Sequence, residues 1–214
     1  MIKLYSYFRS SAAYRVRIAL NLKGLPYEYI PVHLVKNGGE QHSSSYETLN
    51  PLKLLPTLID GENVFSQSLA IMEYLDEAYP DTSALLPTDC ATRAQIRALS
   101  QIIACDIHPL NNLRVLQYLS NELEVNDAQR SQWYVNWIKV GFDALELLLA
   151  KQQSQFCFGD QPSIADCCLI PQIYNAKRFK IDLSKYPRIL TIYEHCKIHP
   201  AFIEAEPEKQ PDAA

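Results

Sequence analysis

A chain of 214 residues with a formal charge of −4, nearly half of it hydrophobic and about a fifth charged, has an ordinary globular balance. That charge leaves no general basic footprint for nucleic acid or an anionic membrane, so a site for an acidic ligand has to be built locally. No apolar run approaches the roughly 20 residues of a membrane span, and Met1 leads straight into Ile2-Lys3-Leu4-Tyr5 without an export leader. A cytoplasmic protein without membrane or nucleic-acid partners is expected.

In chain order, Ile2 to Phe8 alternates with aromatic weight, the pattern of a strand. Ala12 to Lys23 predicts a helix, with Val16, Ala19, Leu20 and Lys23 on one side and Gly24 as its stop. Glu28 to Val32 predicts a second strand, so the opening unit is strand–helix–strand with a right-handed crossover. After a polar loop from Lys36, two short strands meet at Asp60-Gly61 as a hairpin. Ser66 then precedes a helix that carries Ile71, Tyr74, Leu75 and Ala78 on one face and stops at Pro80.

Beyond residues 81–89 every segment predicts helix. Arg93 to Leu123 is long and interrupted near Pro109, Asp127 to Lys151 is strongly periodic, Ser163 to Phe179 follows, and a shorter piece spans Pro187 to His199. Ser163-Ile164-Ala165-Asp166 is a variant capping box that fixes a helix start. The polar, proline-containing tail from Glu204 to Ala214 is expected to fray. These patterns give an α/β domain over residues 1–80, a linker over 81–89 and an all-α domain over 90–214.

Six cysteines contain no C-x-x-C pair and no histidine at a metal-finger spacing, so neither a disulfide framework nor a metal site is expected. The adjacent Cys167-Cys168 falls in an apolar helical stretch, where buried thiols behave as small hydrophobes.

Three short patches can carry chemistry. Ser10 and Ser11 stand at a strand-to-helix junction, where free backbone N–H groups and the positive end of the helix dipole favour an anion. A thiolate there would be stabilised, although the same serines also serve as a simple N-cap. Leu55-Pro56 begins a strand; an X-Pro bond can be cis, and the Leu55 backbone can pair with an extended peptide, although most such prolines merely start strands. Ser66-Gln67-Ser68 opens the next helix with donors suited to a carboxylate, or else with plain capping groups.

Taken together, Tyr5 to Ser11, Arg15 to Leu20, Leu22-Lys23-Gly24, Leu49-Asn50-Pro51, Pro56-Thr57-Leu58 and Gln67 to Ile71 resemble the zeta class of glutathione transferases. The resemblance continues through Asn111-Asn112-Leu113, Gly159-Asp160, Ala165-Asp166, Pro171-Gln172, Asn175 to Phe179 and Tyr186-Pro187, nearly the whole chain. It implies a thioredoxin-like N-terminal domain, an all-helical C-terminal domain, a homodimer, and a glutathione site at the cleft. It implies the glutathione-dependent cis–trans isomerisation of maleylacetoacetate in aromatic amino acid catabolism, by reversible addition of the glutathione sulfur.

Carried over by position, Ser10 is the hydroxyl donor to the sulfur, with Ser11 beside it. Arg15, Gln41 and the backbone of Leu55 hold the tripeptide, Gln67 and Ser68 bind its γ-glutamyl carboxylate, and His108 and Asn112 close the site. Arg9, Arg114 and Arg178 are the candidates for the two carboxylates of the keto acid, since guanidinium forks match carboxylates in pairs.

Two positions depart from the family. Where Ser-Ser-Cys is common this chain has Ala12, which argues against a cysteine nucleophile and against glutaredoxin-like redox work. His108 stands where some relatives have glutamine. Three alternatives share or abandon the same machinery: maleylpyruvate as the acid, broader conjugation or dehalogenation, and a non-catalytic interaction module.

Overall fold

The computed structural model describes residues 1–213 and places them in two units, one made of Met1–Pro87 with the chain from Lys197 onward, the other of Thr88–Cys196. In the first unit the alternating residues form β1 (Ile2–Ser6), whose even positions are buried. Helix α1 (Ser11–Leu22) follows, then β2 (Tyr27–Pro31), parallel to β1 with Leu4 opposite Tyr29. Two short 3₁₀ turns, Lys36–Gly38 and Glu40–His42, lead to α2 (Ser44–Leu49). The hairpin at Asp60-Gly61 is present as β3 (Thr57–Asp60) and β4 (Asn63–Ser66), with Gly61 at φ 60 in the tight turn. Because β3 runs antiparallel to β1, the sheet order is β2-β1-β3-β4, the thioredoxin-like arrangement that the resemblance implies.

Helix α3 (Ser68–Ala78) packs against α1, and α1 is buried on nearly every side rather than on one stripe. The reason lies in the tail. The segment from Glu204 to Ala213, expected to fray, is fixed, and Ala214 lies outside the described residues: α9 (Pro200–Ala205) lies along α1, a 3₁₀ turn spans Pro207–Lys209, and Ala205 and Pro207 are buried. Gln210 Nε2 donates to the carbonyls of Glu204 at 3.0 Å and Glu206 at 2.8 Å. Its polar groups are engaged in backbone contacts that composition does not reveal, and helical content therefore does not mark the boundary between the units.

The second unit contains α4 (Cys90–Gln101), a π-helical turn (Ile102–Ile107), a 3₁₀ turn (Pro109–Asn111) and α5 (Leu113–Asn121), so the interruption expected near Pro109 begins a turn earlier. α6 (Asp127–Leu149), α7 (Ile164–Arg178) and α8 (Pro187–Cys196) complete it. Gly141 of α6 faces the π turn so closely that a Cβ would lie 2.1 Å from Ile107 Cδ1. α7 forms the centre, with every residue from Ile164 to Ile173 buried. Its start is set by the expected capping box: Asp166, fully buried, accepts the N–H of Cys157 at 2.8 Å, the N–H of Ser163 at 2.8 Å and the Ser163 hydroxyl at 2.9 Å. Cys167 and Cys168 are buried, unbridged thiols, and burial pushes the Cys167 thiol well up. No helix among the described residues is long and apolar enough to cross a membrane.

Candidate active site

Ser10 is the N-cap of α1. Its Oγ accepts the Ala13 N–H at 3.3 Å, which leaves the hydroxyl proton free to be donated elsewhere. Ser11 is the first helical residue and is buried. Both serines thus sit at the N-terminus of a twelve-residue helix with no acidic residue in its first turn, so the first turn itself does not oppose an incoming anion. The turn that delivers Ser10 is closed by its own N–H, donated to the Tyr7 carbonyl at 2.9 Å.

Arg15, one helical turn further on, is 2% exposed, and its Nη1 donates to the Ser68 hydroxyl at 3.1 Å. The structure therefore brings two of the expected glutathione residues into direct contact, α1 to the first residue of α3. Gln67, the cap residue of α3, makes no side-chain capping bond and has φ 68, a left-handed conformation that is costly for a residue with a Cβ. Plain capping therefore does not account for Gln67.

The Leu55-Pro56 bond is cis. The approach to it is fixed at the Leu54 carbonyl, which accepts from the Tyr46 hydroxyl at 2.7 Å and from Asn50 Nδ2 at 2.8 Å. Both groups also reach Thr57 Oγ1, at 2.8 and 3.1 Å, so the proline turn is braced on either side. Gln41 is buried within its 3₁₀ turn; Nε2 reaches the Leu34 carbonyl at 3.5 Å, and its Oε1 has no hydrogen-bond partner among the described residues. Beside this turn a cavity of about 690 Å³ is lined by Tyr5, Ile30, Val32, His42, Tyr46 and Leu49; neither Ser10 nor Ser68 forms part of its wall. Arg9 is exposed, with its guanidinium 4.8 Å from the Phe8 ring centroid.

The other expected residues belong to the second unit. His108 ends the π turn and is half-buried. Asn112 caps α5, accepting the Arg114 N–H at 3.2 Å, and Arg114 itself is exposed. Arg178 closes α7, exposed, 5.0 Å from the centre of the Phe179 ring, which stacks on Tyr134 at 3.6 Å. Burial pushes the Tyr134 hydroxyl up to about 12, and the neighbouring Arg178 guanidinium acts in the opposite direction.

Two groups at the turn that carries Ser10 have no counterpart in the sequence expectations. Arg17 is fully buried and donates to Ser6 Oγ, to the Phe8 carbonyl and to the Ala205 carbonyl, each at 3.1 Å. Asp212 accepts the Phe8 N–H at 3.1 Å. No local pattern announces either; the one available signal for Arg17 is its position on an otherwise apolar helix.

The chain matches the family description "Glutathione S-transferase, N-terminal domain" over residues 4–83 and "Glutathione S-transferase, C-terminal domain" over residues 138–195. It is 53% identical to the probable maleylacetoacetate isomerase of Vibrio cholerae, over 98% of this chain and 97% of that one. Among solved structures it is similar to the holo structure of maleyl pyruvate isomerase, described as a bacterial zeta-class glutathione S-transferase, at a TM-score of 0.95 and 47% identity, covering 99% of this chain and all of the other. It is also similar to maleylacetoacetate isomerase from Methylobacterium extorquens AM1 with bound malonate and GSH, at a TM-score of 0.94 and 38% identity, with 99% of each chain covered.

Proposed function

The chain belongs to the zeta class of the glutathione S-transferase family, and on that footing we propose that it is a glutathione-dependent cis–trans isomerase acting on maleylacetoacetate. The observation that carries the proposal is Ser10 at the N-cap of α1, its hydroxyl proton uncommitted, above a first turn without acidic side chains.

The residues present fit glutathione. Gln67 has a positive φ and makes no capping bond to its own helix, and Gln41 presents a buried amide oxygen without a partner among the described residues. Gln67 and Ser68 would hold the γ-glutamyl carboxylate, with Arg15 fixing the Ser68 hydroxyl; the Leu55 backbone and Gln41 would hold the rest of the tripeptide. His108 and Asn112 are assigned to the same ligand by position. When bound, glutathione supplies a thiolate that adds reversibly to the activated cis double bond, so that the bond can rotate before the thiolate leaves.

Ser10 donates a hydrogen bond to that sulfur and, with the N–H groups at the start of α1, favours its anionic form. Ser11 supports the same helix start. Arg178 and Arg9, with Arg114 as the third candidate, pair with the carboxylates of the acid and hold it in register. Ala12 leaves no thiol at the helix start to compete for the electrophile.

Maleylpyruvate is a second reading, favoured by the likeness to maleyl pyruvate isomerase. The setting we infer is the cytoplasm, which six cysteines without a disulfide suit, with the chain as a homodimer in aromatic amino acid breakdown. The test is to assay both acids with and without glutathione, beside Ser10→Ala and Arg178→Met. Loss of one charge-assisted hydrogen bond should lower the turnover of Ser10→Ala about 10- to 100-fold with an intact fold. Arg178→Met should raise KM for the acid more than for glutathione. Full activity of Ser10→Ala would remove that serine from the mechanism, and turnover without glutathione would end the proposal.

A further inference from the structure

The segment after α8 returns to the first unit and ends against the loop that carries Ser10. Asp212 Oδ2 accepts the Phe8 N–H at 3.1 Å, and Oδ1 accepts the Tyr29 hydroxyl at 2.6 Å. Arg17 Nη2 donates to the carbonyl of the same Phe8 at 3.1 Å. Both backbone polar groups of one residue, two positions before Ser10, are therefore held by charged side chains, one from α1 and one from the tail. Charge-assisted bonds of this kind are about twice as strong as neutral ones, and a buried carbonyl or amide that loses its partner is costly.

Two further contacts tie the tail to the site. Ala213 packs on the cluster of Tyr7, Phe8, Val32, Tyr46 and Leu55, which joins the Ser10 loop to the cis-proline turn. Burial works against the Arg17 cation, and the field of Asp212 is among the influences that favour it.

We propose that Asp212 is a positioning residue for the isomerisation: by clamping the Phe8 amide it fixes the Tyr7–Ser10 turn, and so aims the Ser10 hydroxyl and the start of α1 at the glutathione sulfur. The proposal rests on the function proposed above. Asp212 touches neither sulfur nor acid in this scheme; it acts through Phe8.

The test compares Asp212→Ala, Asp212→Asn and Tyr29→Phe in the full chain. Readouts are kcat and KM for glutathione, the ultraviolet titration of the bound thiol, and amide hydrogen exchange. For Asp212→Ala the thiol titration should rise by about one pH unit and kcat fall about tenfold, with KM for glutathione changed less than about threefold. Asp212→Asn keeps an acceptor oxygen for the Phe8 N–H and should stay within about threefold of the parent. A folded Asp212→Ala with the parent's kcat and thiol titration overturns the proposal, and so does an Asp212→Asn as damaged as the alanine variant. If Asp212→Ala does not fold, Tyr29→Phe decides: loosening the carboxylate should raise the thiol titration, and no change overturns the clamp. Phe8 amide exchange separates this inference from the function. It should quicken at least about tenfold in Asp212→Ala even if the parent protein fails to isomerise either acid, which would sink the function alone.

Discussion

In the first unit one fully buried ion, Arg17, is a cation. Arg17 spreads its fork over Ser6 and Phe8, which share one short stretch, and over Ala205, 188 positions further along the chain. In the second unit it is an anion: Asp166 gathers the N–H of Cys157 and the N–H and hydroxyl of Ser163, all within nine residues. Each ion organises backbone next to a helix, and neither relies on a partner of opposite charge at ion-pair distance among the contacts described. The fork donates and therefore collects carbonyls and hydroxyls; the carboxylate accepts and therefore collects amides. Arg17 ties the stretch from Ser6 to Phe8 to the end of α9, whereas Asp166 closes a single helix start.

Arg17→Met gives the sharpest break in this comparison. It leaves the Phe8 and Ala205 carbonyls and the Ser6 hydroxyl without their donor, and should cost about 3–5 kcal/mol. Both tryptophans, Trp133 and Trp137, lie in α6, so their fluorescence reports on the second unit. Glutathione binding and amide exchange of β1 and α1 should collapse well before the tryptophan transition moves. Equal shifts in both would show that the effect of Arg17 is not confined to the first unit.

Asp166→Ala should act in reverse, costing about 2–4 kcal/mol because two buried amides lose their acceptor. Urea unfolding followed by tryptophan emission is the measurement, and a midpoint unchanged from the parent would contradict the assignment. Ser163→Ala removes the hydroxyl that accepts from Ala165 at 3.3 Å but leaves the carboxylate in place, and should cost only about 1 kcal/mol by the same measurement. A larger loss than for Asp166→Ala would make the cap, rather than the buried carboxylate, the organiser.

The same contrast explains what could be read before the structure. Ser163-x-x-Asp166 is a local motif, so four residues carry the whole pattern, and the strand–helix–strand opening and the hairpin followed equally from short-range signals at Gly24 and Asp60-Gly61, whereas the pairing of β3 with β1 did not. Ser10, Gln67 and Ser68 could be singled out because strand-to-helix junctions are visible in sequence. Arg17 and Asp212 could not, because their partners lie up to 188 and 204 positions away. A polar tail and an arginine on an apolar helix look like solvated groups until the chain returns to meet them. The left-handed conformation of Gln67 was equally hidden, since nothing in a glutamine announces a positive φ. The π turn before His108 has no residue signature either; its close contact becomes visible only at Gly141.

The first unit is interrupted in sequence by the whole of the second, and this has a temporal consequence. Thr88–Cys196 is a continuous stretch and can consolidate as soon as it leaves the ribosome, while the thioredoxin-like unit still lacks α9 and Asp212. Until those residues emerge, Arg17 has no Ala205 carbonyl and Phe8 has no carboxylate on its amide. The half of the molecule translated first is thus the half completed last. A nascent chain stalled before residue 200 should hold a protease-resistant helical unit beside a Tyr7–Ser10 turn that is still being cut.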